Sequence, residues 1–183
     1  SRKGVDTLLN ACATVDSDFR LDLIGSGCEE GNLKLLSEAL GISQKCFWHG
    51  SIPSNQVRNA MSVADALVLP SHHDGWGAVV NEALMMGLPV ICSKECGASC
   101  LIKRESMGAV FDAGNTAELA SIVNLKMKVS AVEKARQRES VLQWSTLLSG
   151  ESMANYFIDL MEHIYANGSR PSTPWGQAEN HSG

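Results

Sequence analysis

The chain has 183 residues, 44% of them hydrophobic and 19% charged, with a formal net charge of −5. That length suits one domain with its own core, and the composition excludes a disordered or fibrous chain. The negative balance, without a dense Lys/Arg cluster, excludes an electrostatic footprint for nucleic acid, and no apolar run approaches the ~20 residues of a membrane span.

In chain order, Val5, Leu8, Leu9 and Cys12 follow i, i+3, i+4, i+7 and predict a helix over about 4–15. Residues 20–24 predict a strand ending at Gly25-Ser-Gly27, and 31–40 a helix stopped by Gly41. A strand over 46–49 ends at Gly50. Pro53 and Ser54 open a helix to about Val63, followed by a strand over 66–69 whose unbroken apolar character fits the middle of a parallel sheet. A helix over 78–86 ends at Gly87; strands follow over 89–93 and 108–111, and Asn115 or Thr116 caps a further helix. Met153, Tyr156, Phe157, Leu160, Met161 and Ile164 form a last helical stripe, and 168–183 read as a disordered tail. The alternation predicts an α/β, Rossmann-like parallel sheet with helices on both faces. Because the chain opens on a helix, the first βαβ unit is expected to lack its leading strand, as in a fragment.

Six cysteines lie mostly in apolar runs of a chain too large to depend on disulfides, so reduced thiols are expected. Cys92, Cys96 and Cys100 recur every fourth residue without the usual CxxC spacing, and no metal site is expected. No signal-peptide pattern is present, which points to the cytoplasm.

In an open parallel sheet, ligands bind beyond the carboxyl ends of strands, where the loops at Gly25, Gly50, Ser71 and Ser93 should meet. Within Ser71-His-His-Asp-Gly-Trp-Gly77, glycines stand where a helix begins, offering free amides and a positive dipole end to an anion such as a diphosphate. Asp74 and Glu82 can face one polar ligand bearing several hydroxyls. His72 and His73, adjacent on a tight loop, are read as structural or solvent-facing rather than catalytic. Glu82 has apolar neighbours on both sides, which argues against a free surface position. A dinucleotide oxidoreductase is disfavoured, because Gly25-Ser-Gly27 lacks the third glycine of that fingerprint.

The run from Pro70 through Asp74-Gly-Trp-Gly-Ala-Val-Val-Asn-Glu82 to Val90, with an acid, seven residues and then Glu, resembles the signature of glycosyltransferase family 4, retaining enzymes of the GT-B fold. Lys3-Gly4, 23–27, 47–50, 96–98 and 108–114 match further family segments in order. The resemblance implies the C-terminal, donor-binding half of such an enzyme over 1–167, with the N-terminal acceptor domain absent from the chain.

Residue by residue, the resemblance implies that Asp74 binds the donor sugar and Lys3 the diphosphate, the two catalytic candidates. Gly75, Trp76 and Gly77 would lie near sugar and diphosphate, with Trp76 read as packing the turn rather than stacking a base. Glu82 would accept from the ribose, Gly50 and Ile52 would lie near the base, and Gly25 and Gly27 would line the nucleotide pocket. The family usually has Glu where Asp74 stands, and its diphosphate-binding Arg has no match here. No cofactor or metal is implied. The expected partners are a nucleotide-diphospho-sugar and the absent domain; membrane association would come only through that domain or a lipid acceptor. The alternative reading is a catalytically inactive nucleotide-binding module serving as a partner subunit. The region from Trp144 resembles the segment that crosses back to the first domain, so part of the last helical stripe is expected to be exposed and to promote self-association.

Overall fold

A computed structural model describes residues 2–166 and 168–175. Helices and strands alternate as far as β4, and two short 3-10 turns (Gly97–Leu101 and Glu105–Met107) lead from it to β5: α1 (Val5–Cys12), β1 (Leu21–Ile24), α2 (Glu30–Ala39), β2 (Cys46–Gly50), α3 (Ser54–Val63), β3 (Leu67–Leu69), α4 (Ala78–Met85), β4 (Val90–Ser93) and β5 (Gly108–Phe111). Three helices follow, α5 (Thr116–Met127), α6 (Ala131–Ser145) and α7 (Gly150–Ala166). Every strand pairing is parallel, which requires a crossover between paired strands and accounts for the intervening helices.

The strands are divided between two sheets. β1 pairs with β2, and β3, β4 and β5 form a second sheet in that order. The single continuous sheet expected from the alternation is therefore split between β1 and β3. β4 holds the second sheet's centre, and all four of its residues are buried. Its side chains alternate between faces, so Val90 and Cys92 join a core with Val80, Leu84, Val141 and Trp144, while Ile91 joins Leu8, Leu9, Phe111 and Leu119 on the other. Each fully buried leucine in these cores contributes about 1.5–3 kcal/mol of hydrophobic stabilisation.

Local caps explain the helix boundaries. The Asn115 side chain accepts from the Glu118 amide at 3.1 Å, and Glu118 reaches back to the Asp112 amide at 2.9 Å. α6 lies in a stretch that the sequence reading left without an element. Its polar face hides its apolar periodicity, but Ser130 accepts from the Glu133 amide at 3.2 Å, and the Ser-x-x-Glu spacing was the available signal. Within α6, Arg138 donates to the carbonyls of Ala64 (2.8 Å), Met86 (3.3 Å) and Met61 (3.4 Å), joining the C-terminal ends of α3 and α4 to one guanidinium.

α7 carries the expected stripe and leaves part of it open, with Phe157 and Ile164 more than half exposed and Ile158, beside the stripe, exposed as well. The expected tail divides in two. In 168–175, the His163 ring and the Gly168 carbonyl oxygen are 2.7 Å apart, and Trp175 meets Tyr156 edge-on with ring centroids 6.1 Å apart. Positions 176–183 lie outside the described residues. None of the helices among the described residues is long and apolar enough to cross a membrane.

Candidate functional site

The loop between β3 and α4 is held from both sides. On one side, the His72 amide donates to the Arg2 carbonyl at 2.9 Å, and Gly4 packs on the Pro70 carbonyl. Gly4 has φ 63°, the left-handed conformation that starts α1, and any Cβ there would overlap Pro70, so both conformation and contact demand glycine. On the other side, the Asp74 amide donates to Glu95 (3.0 Å), the Gly97 amide to Asp74 (3.3 Å) and the Ala98 amide to Trp76 (2.7 Å). The buried Cys96 thiol adds a second donor to the Trp76 carbonyl at 3.1 Å. Below, the Ser93 hydroxyl donates to the Ser71 carbonyl at 2.5 Å. The strand that ends at Ser93 and the turn after it thus form the bed of the loop.

This framing brings Lys3 and Asp74, the two catalytic candidates, together across 71 positions of sequence. Lys3 Nζ lies 2.7 Å from Asp74 Oδ2, with the lysine half-exposed and the carboxylate mostly covered. The Lys3 hydrogen bond holds the Asp74 carboxyl below the usual carboxylate range, against a smaller opposing effect of burial; the Gly77 amide and the charge of Arg2 act in the same direction as Lys3. The anion at the start of α4 is therefore Asp74 itself. Gly77, with φ 82°, caps that helix, and the amides of Ala78 and Val79 have no intrahelical acceptors.

The other candidates separate. Gly75 and Trp76 are exposed, and the Trp76 indole donates to Asn81 Oδ1 at 2.9 Å, fixing the ring against the first turn of α4. Glu82 is exposed, contrary to the expectation drawn from its neighbours: Val80, Ala83 and Leu84 face the core and leave position 82 on the open side. His72 and His73 are exposed. Gly25 and Gly50 meet through a 2.8 Å amide–carbonyl bond, and the adjacent loops are tied by Ser26 and Ser51 at 2.8 Å. Gly25, Gly27 and Ile52 line one cleft with Lys3. The edge expected to gather the loops is thus present, with the residues from β1 and β2 at one end and Asp74 at the other.

The cysteines are free thiols; Cys12, Cys46, Cys92 and Cys96 are buried, while Cys28 and Cys100 are exposed. Burial pushes the Cys12 and Cys92 thiols up to about 12, so both are neutral small hydrophobes at neutral pH. Among the described residues, no cluster of His, Cys, Asp and Glu could hold a metal ion. Sequence reasoning missed Cys96 as a support of the loop; its only signal was the small residue-rich run Cys96-Gly-Ala98 following a strand.

Comparison with known proteins matches residues 1–140 to the family described as Glycosyl transferases group 1. The lipopolysaccharide core biosynthesis glycosyltransferase LpsD of Rhizobium meliloti is 26% identical over 161 residues, covering 88% of this chain and 46% of LpsD. The crystal structure of WaaG, a glycosyltransferase involved in lipopolysaccharide biosynthesis, is similar at a TM-score of 0.71 and 25% identity, over 79% of this chain and 40% of WaaG. HepE of Anabaena, solved in complex with UDP-glucose, shares the fold at a TM-score of 0.70 and 23% identity, over 79% of this chain and 41% of HepE. The chain spans about half the length of the curated relatives it matches first.

Proposed function

This chain belongs to the group 1 glycosyltransferases, and from that premise we propose that it forms the donor-binding half of a retaining, family 4 enzyme that takes a nucleotide-diphospho-sugar. The observation that carries the reading is the contact between Lys3 and Asp74 at the start of α4, 2.7 Å across, since it joins the two groups the resemblance assigns to diphosphate and sugar. In the reaction, the bond from the sugar's anomeric carbon to the diphosphate breaks, and a bond to the acceptor oxygen forms on the same face. The electron pair of the broken bond leaves on the nucleotide diphosphate, where negative charge collects, and a diphosphate oxygen takes the proton that the acceptor hydroxyl gives up.

Lys3 and the amides at the start of α4 are suited to stabilising that charge, as preorganised donors whose dipoles need no reorganisation. For this, Lys3 must turn from Asp74 toward the diphosphate, which frees the carboxylate to accept from sugar hydroxyls. The charge stabilisation is assigned to these groups rather than to a metal ion. Glu82 remains the candidate for the ribose, with Gly25, Gly27, Gly50 and Ile52 toward the base. Acceptor binding is assigned to the second half that the relatives carry, and the lipopolysaccharide role of LpsD and WaaG makes a glycolipid or polysaccharide acceptor the class to test first.

Calorimetry of this chain with UDP, GDP and ADP tests the reading. Weak binding of one nucleotide, lost in Lys3→Ala, is expected. A folded chain that binds none of the three would overturn it.

A further inference from the structure

Trp76 is 45% exposed, yet its position is fixed from three directions. Its carbonyl accepts from the Ala98 amide at 2.7 Å and from the Cys96 thiol at 3.1 Å. Its indole N–H donates to Asn81 Oδ1 at 2.9 Å, across the first turn of α4. Its Cα and ring rest on Gly97, where a Cβ would stand 3.2 Å from Trp76 Cα and Cε3 and would overlap the Gly75 carbonyl oxygen. The other exposed aromatic rings differ. Phe47 has the Arg20 guanidinium 4.0 Å from its centroid, and Phe157 and Tyr165 belong to α7. With its one polar atom bonded to Asn81, the Trp76 ring meets solvent through carbon, and a ligand that lies on it orders little that is not already ordered.

The ring is held on the side of the loop away from the nucleotide cleft. The Asp74 carboxylate turns to Lys3, which lines that cleft with Gly25, Gly27, Ile52 and Val79. Asn81 lies about 200° around α4 from Val79, whereas Glu82, one turn from Val79, stays on its side. Neither Trp76 nor Asn81 lines the cleft.

Chemistry sets what such a ring takes. A pyranose has a face of C–H groups that packs on an aromatic ring, whereas a phosphate or an open-chain polyol has none. We propose that Trp76 is the stacking platform for the sugar ring of the acceptor, and that Asn81 and Gly97 are the residues that position it. The inference rests on the donor-half reading above and assigns the indole to the acceptor instead of the donor. Asp74 and Lys3 serve the donor from one side of the loop, and the indole adds an acceptor contact from this half, selecting acceptors that present a pyranose with an open C–H face.

The test follows the tryptophan indole N–H resonances of the isotope-labelled chain by NMR. There are four tryptophans, and the Trp76 resonance is the one missing from Trp76→Phe. Methyl β-galactopyranoside and methyl β-glucopyranoside are titrated in, with sorbitol as the open-chain control. At least one glycoside is expected to shift the Trp76 indole saturably in the millimolar range, while the indoles of Trp144 and Trp175 stay still and sorbitol has no effect. Asn81→Ala, which frees the ring, should weaken that binding roughly two- to tenfold. Asn81→Asp keeps an acceptor for the indole and should restore it, with unchanged amide spectra of β4 and β5 reporting the fold. No shift from either glycoside, an equal shift from sorbitol, or undiminished binding in Asn81→Ala overturns the proposal. A nucleotide that moves the same resonance and competes with the glycoside also overturns it, since the ring then belongs to the donor. Nucleotide binding in calorimetry without any glycoside shift removes this inference alone, whereas a folded chain that binds no nucleotide removes the reading beneath it.

Discussion

Gly77 closes the site loop with φ 82° while its missing side chain faces the Cys96 thiol. Replacing it with alanine imposes both left-handed strain and an overlap with buried sulfur, so Gly77→Ala is expected to cost about 2–5 kcal/mol in urea unfolding. Adding Cys96→Ala removes the overlap but leaves the strain. The double variant should therefore lose less than the sum of the two singles, and simple additivity would show that the thiol is not the obstacle. Asp74 makes a different prediction. Its carboxyl is held low by Lys3, and that of Asp22 by Arg20 first and by His49 as well. Both folded-state values lie below the unfolded ones, so the stability they contribute is fully present above about pH 4 and is lost as the pH falls through the folded values. The wild type should lose stability in urea unfolding as the pH falls below about 4, the ordinary Asp value, whereas Asp22→Asn should flatten that limb. The partners are partly exposed, which limits the Asp74–Lys3 pair to about 1 kcal/mol or less. Asp74→Asn should thus weaken binding of a nucleotide-diphospho-sugar in calorimetry without loss of fold, and binding equal to that of the wild type would count against a sugar role for the carboxylate. Lys3, Asp74 and the glycines were legible from the resemblance and from the helix start. That the aspartate fills the positive end of α4 was not, because it depends on the position of a lysine 71 residues away.

Among the elements, α6 joins two others through one side chain. A single guanidinium in it serves three carbonyls at the ends of α3 and α4. Removing it strands those acceptors partly buried, and Arg138→Met is expected to destabilise by about 2–3 kcal/mol in urea unfolding. Arg138→Lys should recover little, since an ammonium cannot match the spread of a planar fork; full recovery would mean that charge alone matters. Most elements were legible within a residue or two, because apolar spacing and glycine stops are local. α6 was not, since its partners supply its meaning: Val141 and Trp144 become core only once α4 lies against them.

At the scale of the whole molecule, the stripe of α7 is an apolar feature that remains open among the described residues. With Phe157, Ile158 and Ile164 more than half exposed, the chain is expected to associate as its concentration rises. Sedimentation should show that association, and Phe157→Glu with Ile164→Glu should reduce it; a strict monomer throughout would count against a role for this helix. Tyr156 is shielded from the same test by Trp175, which the described part of the final segment brings against it.

The sequence by itself determined the alternation of helices and strands, their caps, and the family signature from Asp74 to Glu82, because each is written in residues near one another in the chain. Only the tertiary structure decided that Lys3 neutralises Asp74, that Cys96 supports the loop, that Glu82 is exposed, and that the strands fall into two sheets. Those facts rest on contacts between distant segments, whose geometry is set by how the two cores pack on either side of β4 and not by any local pattern.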